Sequence, residues 1–126
     1  QGPLWGGNLT VISHLIGTPY MPDLAGRVLL LEEVNEAPYR LDRMLTQLRQ
    51  AGVLHKVAAV LIGDLTGCHD PRMASCRPVL EDCLGDLKVP VLLGVPVGHG
   101  EQNLALPLGW TAEVDGDAGE VRVVYV

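Results

Sequence analysis

The sequence predicts an α/β fold with a small parallel sheet and added antiparallel strands. Three observations carry that expectation. Apolar runs of strand length recur at 26–34, 56–64 and 89–100, each short enough to read as a buried strand. Segments with helical periodicity or capping residues separate them, and strand–helix–strand order implies parallel pairing through right-handed crossovers. The tail alternates on either side of Asp115-Gly116-Asp117-Ala118-Gly119, which predicts a β-hairpin.

Taken in order, "QGPLWGGN" (1–8) lacks an initiator Met and reads as entering at once into a glycine-rich turn. A domain or fragment of a longer polypeptide is expected, its N-terminal segment adding an antiparallel strand. Asn8 is a good N-cap for a short helix over 8–16, with Leu9, Ile12 and Ile16 on one face and Gly17 at its end. The run "GRVLLLEEV" (26–34) reads as a strand that delivers Glu32 and Glu33 at its C-terminal end. After Pro38, residues Leu41, Met44, Leu45 and Leu48 recur at i, i+3, i+4 and i+7. That is the clearest helical stripe in the chain, and Gly52 closes it.

A second strand, "KVAAVLIGD" (56–64), ends in Gly63-Asp64, and a polar loop follows over 65–76. "RPVLEDCLGDL" then predicts a short helix with Pro78 in its first turn. "VPVLLGVPVGHG" is the third strand, running into the glycines around His99. No internal repeat or low-complexity segment interrupts this order.

The bulk properties narrow the function. At 126 residues, with 48% hydrophobic and 19% charged residues, the chain suits one globular domain with a real core. A net charge of −6 excludes nucleic acid as the main partner, since binding phosphates needs surplus Lys and Arg. No apolar run approaches the roughly 20 residues of a membrane span, and the first residues do not read as the basic-then-apolar pattern of a signal sequence. The three cysteines lack CxxC spacing, which predicts free thiols in a reducing compartment, the cytoplasm.

Functional groups in parallel α/β sheets gather beyond the carboxyl ends of strands. Three polar clusters fall there: Glu32-Glu33, Asp64 and His99. A carboxylate that accepts from one imidazole nitrogen fixes the tautomer and frees the other nitrogen to act as a base. Gly98 and Gly100 on either side of His99 suggest that something must approach it closely. Against this stand plainer readings: a surface histidine, and glutamates that favour a helix N-terminus. No nucleophile accompanies the base. The two serines, Ser13 and Ser75, lie in a predicted helix and a polar loop, outside any G-x-S-x-G turn. Cys68 follows a glycine, but its neighbour His69 is adjacent in sequence, whereas catalytic Cys–His pairs meet through the fold. Cys68, His69, Asp70 and Cys76 match no common zinc spacing, so neither a metal nor a cofactor is expected. Arg40 and Arg43 beside Asp42 read as a solvated face with weak ion pairs.

Four stretches together are more specific: "GGNLTVISHLIGTP", "LLLEEVNEAPYRLDRMLTQLRQAG", "VPVLLGVPVGHG" and "LPLG". In this order and spacing, across nearly the whole chain, the sequence resembles the C-terminal domain of the LD-carboxypeptidases, serine peptidases that include the microcin-immunity peptidases. The resemblance implies a swivelling β/β/α-type domain over 1–126. It also implies a separate N-terminal domain, similar to class I glutamine amidotransferases, that supplies a serine. His99 would then be the base and Glu32 its partner in a Ser-His-Glu triad, with Glu33 and Glu36 near enough to exchange with Glu32 in an alignment. The implied activity is cytoplasmic cleavage of an L,D peptide bond in murein tetrapeptides, releasing D-alanine.

Gly6, Gly7 and Asn8 would form a substrate-binding loop at the cleft. Asn103 would orient substrate or the His99 loop, and Tyr39, Asp42 and Arg43 would serve folding or dimer contacts. A homodimer is expected, and the isolated chain should hydrolyse no murein peptide. The competing readings are a non-catalytic ligand- or partner-binding module of the same fold and a cysteine hydrolase using Cys68.

Overall fold

The computed structural model describes residues 1–124, so Tyr125 and Val126 of the predicted hairpin lie outside the described residues. Its elements are β1 (Gly2–Asn8), α1 (Leu9–Leu15), β2 (Val28–Val34), α2 (Pro38–Gln50), β3 (Ala59–Thr66), α3 (Arg77–Leu84), β4 (Val91–Leu93), β5 (Thr111–Asp115) and β6 (Glu120–Val124). They build one sheet in the order β4-β3-β2-β1-β5-β6. Strands β1 to β4 run parallel to their neighbours, while β5 pairs antiparallel with β1 and β6 antiparallel with β5.

Each face of the sheet buries its own apolar cluster, because side chains alternate along a strand. All three helices lie on one face. Leu41, Leu45 and Leu48 of α2, Leu9 and Ile12 of α1, and Val79 and Leu80 of α3 pack there on Leu29, Leu31, Val60 and Ile62. The opposite face carries Leu4, Val28, Leu30 and Leu61, closed by Val95 and Ala112. Helix α2 forms where the apolar stripe predicts it, with Pro38 in its first turn. It ends in a Schellman arrangement: Gly52, at φ 74°, donates to the Arg49 carbonyl and Val53 to that of Leu48. Arg49 reaches from α2 to the Cys83 carbonyl and to Asp86 at 2.6 Å. That bond holds the exposed Asp86 carboxyl down at a pKa of about 2.

Three expectations change. Residues 2–8 are not a turn but strand β1 in the interior of the sheet, parallel to β2 as well as antiparallel to β5. Gly6 is compatible with that position because it passes against the Leu30 carbonyl, where a side chain would collide. The third predicted strand is only Val91–Leu93, since Gly94 turns at φ 77°. From there residues 94–110 cross the sheet's second face and dock on β1, with Gly109 and Trp110 bonded to the Leu4 backbone at 2.7 Å. Strand β3 begins at Ala59 rather than at 56. Among the described residues no helix is long and apolar enough to cross a membrane.

Candidate active site

The carboxyl ends of β1, β2 and β3 lie side by side. Asn8 is in register with Glu32, and the pairing of β2 with β3 shifts between Leu31 and Glu33. This shift leaves two residues of β3, Gly63 and Asp64, opposite Glu32, as a β-bulge does, and Asp64 packs against Gly98 and Gly100. The crossing segment runs over this edge: Asp64 N–H donates to the Val97 carbonyl at 2.8 Å. The next residues, Gly98-His99-Gly100, therefore settle over Glu32 and Asp64.

His99 Nδ1 stands 2.8 Å from Glu32 Oε2, although 67 positions separate the two in sequence. The Glu32 side chain is 9% exposed and the imidazole 54% exposed. A buried carboxylate thus holds a ring whose other nitrogen is available to solvent or a partner. In the arrangement where the imidazole donates from Nδ1 to this carboxylate, Nε2 is left to present its lone pair. The loop is fixed at its backbone too: Gly98 N–H donates to Asn103 Oδ1 at 3.1 Å and Gly100 N–H to Asp64 Oδ2 at 3.2 Å.

The flanking glycines have a cause within the chain itself. A β-carbon at Gly98 would lie 3.1 Å from Glu32 Oε2 and 3.3 Å from Asp64 Cβ, and one at Gly100 would lie 2.6 Å from Asp64 Cγ. The room is filled by the protein's own carboxylates.

Glu33 has a separate task. It points to the helical face, where it accepts from Asn8 Nδ2 at 2.7 Å, Thr10 N–H at 2.8 Å, Thr10 Oγ1 at 2.6 Å and Val34 N–H at 3.0 Å. Burial pushes its pKa up, but the bonds from Thr10, Val34 and Asn8 outweigh burial and leave it below the ordinary carboxylate value. Glu33 therefore ties β2 to the first turn of α1 and does not face His99. Glu36 pairs with Arg40 at 3.4 Å at the start of α2. Of the neighbouring acids, Glu32 is the one in contact with His99.

The other expected site residues are placed as follows. Gly6 and Gly7 lie in β1, so they form no loop. Asn8 caps α1, accepting from Val11 N–H at 3.1 Å, while its Nδ2 has a second hydrogen that the Glu33 bond does not use. Asn103 orients the His99 loop through Gly98. Tyr39 stacks under Arg43, 5.0 Å from ring centroid to guanidinium, and Asp42 accepts from Thr46 at 3.1 Å within α2. Ser13 is buried and donates to the Thr10 carbonyl. Cys68 and Cys76 are buried, and burial raises both thiol pKa values, Cys76 to about 11. Asp70 accepts from the amides of Arg72 and Met73. Among the described residues no three His, Cys, Asp or Glu side chains converge to hold a metal ion. Asp64 is the contributor whose function sequence reasoning left unassigned; Gly63 inside a strand pattern was the available sign of a bulge or close approach.

Known proteins share both the sequence and the shape. The family described as the LD-carboxypeptidase C-terminal domain matches residues 1–114. A Synechocystis sp. protein provisionally named a carboxypeptidase is 46% identical over 122 residues, covering 94% of this chain and 40% of the relative. The murein tetrapeptide carboxypeptidase of Pseudomonas aeruginosa is 36% identical over 121 residues, covering 93% of this chain and 39% of the relative. A crystal structure of muramoyltetrapeptide carboxypeptidase from Oxalobacter formigenes superposes with a TM-score of 0.84 at 36% identity, over 97% of this chain and 43% of that one. The chain thus spans about 40% of the length of these curated relatives.

Proposed function

The chain belongs to the LD-carboxypeptidase family, as its C-terminal domain, and on that premise we propose that Glu32 and His99 are the acid and base of a serine-type hydrolytic centre whose nucleophile another domain supplies. The observation that carries this reading is the 2.8 Å contact between a buried Glu32 and a half-exposed His99. Ser13 is buried in a helix and Cys68 has a raised pKa, so neither offers a ready nucleophile at this edge.

The chemistry follows from the geometry. His99 Nε2 takes the proton of the serine hydroxyl as its oxygen attacks the scissile carbonyl, and Glu32 stabilises the imidazolium that forms. The imidazolium returns that proton to the leaving amine, which departs and leaves an acyl-enzyme. His99 then deprotonates water for the second attack, and the serine recovers its proton. The substrate is a murein peptide cleaved at an L,D bond, with D-alanine as the leaving amine, in cytoplasmic wall recycling. Asn8, with an unused amide hydrogen at the same edge, contributes a substrate contact. The whole enzyme acts as a homodimer.

The test compares this chain alone with the same chain behind a nucleophile domain, using a murein tetrapeptide and detecting released D-alanine. The chain alone should be inactive, the two-domain protein active, and its His99→Ala variant reduced by at least about 10³-fold. Turnover by the isolated chain, or a His99→Ala enzyme near wild type, refutes the proposal.

A further inference from the structure

We propose that Asp64 is a positioning residue for the hydrolytic reaction, holding His99 through the backbone of Gly100 so that the imidazole keeps one tautomer and one aim. This rests on the reading of His99 as the base. Three observations converge on it. Asp64 Oδ2 accepts the Gly100 N–H, directly after His99. Both flanking glycines are packed on Asp64, at 3.3 Å from its Cβ and 2.6 Å from its Cγ for the β-carbons they lack. The register shift between β2 and β3 leaves Asp64, with Gly63, opposite Glu32.

The need for such a residue follows from the loop's composition. A Gly-His-Gly segment has little conformational preference of its own, and Glu32 fixes only the ring. Asn103 holds the amide before His99 and Asp64 the amide after it. The hydrogen bond that Asp64 makes in this loop is to the Gly100 backbone, so it acts on the reaction through where it holds position 99. Losing the hold lets Nε2 move, and a displacement of about 1 Å costs on the order of 10²-fold in rate. An asparagine at 64 retains an oxygen able to accept the Gly100 N–H, so the effect should depend on the acceptor rather than on charge.

Two readouts test this. In the 126-residue chain, ¹H–¹⁵N correlation of the His99 ring reports its tautomer. Wild type and Asp64→Asn should show the Nδ1–H form, whereas Asp64→Ala should show mixed tautomers or exchange broadening. In the two-domain enzyme, Asp64→Ala should lower kcat by about 10- to 100-fold with KM little changed, and Asp64→Asn should stay within about threefold. If Asp64→Ala fails to fold, Asp64→Ser replaces it, its hydroxyl being too short to reach Gly100. A folded Asp64→Ala or Asp64→Ser protein with a wild-type ring or wild-type kcat overturns the role of Asp64, as does an Asp64→Asn loss as large as that of alanine. A wild-type ring already mixed between tautomers, or an active His99→Ala enzyme, overturns the underlying Glu32–His99 reading instead.

Discussion

Replacing Gly100 by alanine probes how tightly the His99 loop is built. Gly100 needs no unusual backbone angle, since it is absent from the positive-φ glycines, so the substitution adds only a methyl group. That carbon would lie 2.6 Å from Asp64 Cγ, where ordinary carbon contacts sit at about 3.5–4.0 Å. Loop and carboxylate must therefore separate by about 1 Å, a distance that also breaks the 3.2 Å bond from Gly100 N–H to Asp64. Overpacking of this kind costs about 1–3 kcal/mol, which at about 3–5 °C per kcal/mol for a domain of this size lowers Tm by roughly 3–15 °C. The same displacement carries Nε2 and should reduce kcat by about 10²-fold in the two-domain enzyme. Gly94→Ala is the matched control. Nothing lies within 4 Å of its added carbon, but its φ is +77°, so it should cost about 1–2 kcal/mol of stability and leave kcat unchanged. The assay pairs thermal melts of the chain with D-alanine release by the enzyme. Wild-type kcat for Gly100→Ala, or equal losses for both variants, would refute the steric reasoning.

Other expected outcomes follow from the same geometry. Glu33 has a pKa below its ordinary 4.5 in the folded chain, so it contributes stability above that pH and loses it as pH falls through the folded value. The Tm gap between wild type and Glu33→Gln should therefore be widest near pH 7 and shrink toward pH 3; a constant gap contradicts the assignment. With all three thiols buried and raised by burial, Cys76 to about 11, iodoacetamide at pH 8 should label the native chain far more slowly than the denatured one. Activity of the two-domain enzyme should survive that treatment, and rapid inactivation would revive a cysteine mechanism. Leu45, fully buried between α2 and the sheet, should cost about 2–5 kcal/mol as alanine in a urea melt.

The elements easiest to read from sequence were those whose local pattern agrees with their tertiary burial. The stripe Leu41, Leu45 and Leu48 is fully buried in α2, and Gly52 stands just past its end. Strand β1 was not legible, because Gly6 and Gly7 are poor strand formers and only pairing with Leu30 and Leu31 holds them extended. The sequence overextends β4 because nothing local shows that the strand ends at Gly94, beyond which Val95 packs with Leu61. At the site, the approach of His99 to a carboxylate could be anticipated from strand ends alone. Which carboxylate could not: a strand buried on both faces shows no alternation in hydropathy, so Glu32 and Glu33 look equivalent until the two faces are known. The bulge that recruits Asp64 also has no signature beyond a glycine inside a strand.

The opposite facing of Glu32 and Glu33 makes β2 intolerant of insertions and deletions. One residue gained or lost upstream in this strand would reverse the facing of everything after it. The acid that now meets His99 would rotate toward α1, and the acid that now anchors α1 would rotate toward the imidazole. Both the contact with His99 and the anchor on α1 would be rearranged in a single event. Length variation between homologues should therefore accumulate in the loops at 17–27 and 67–76, while the spacing from Val28 to Val34 stays constant.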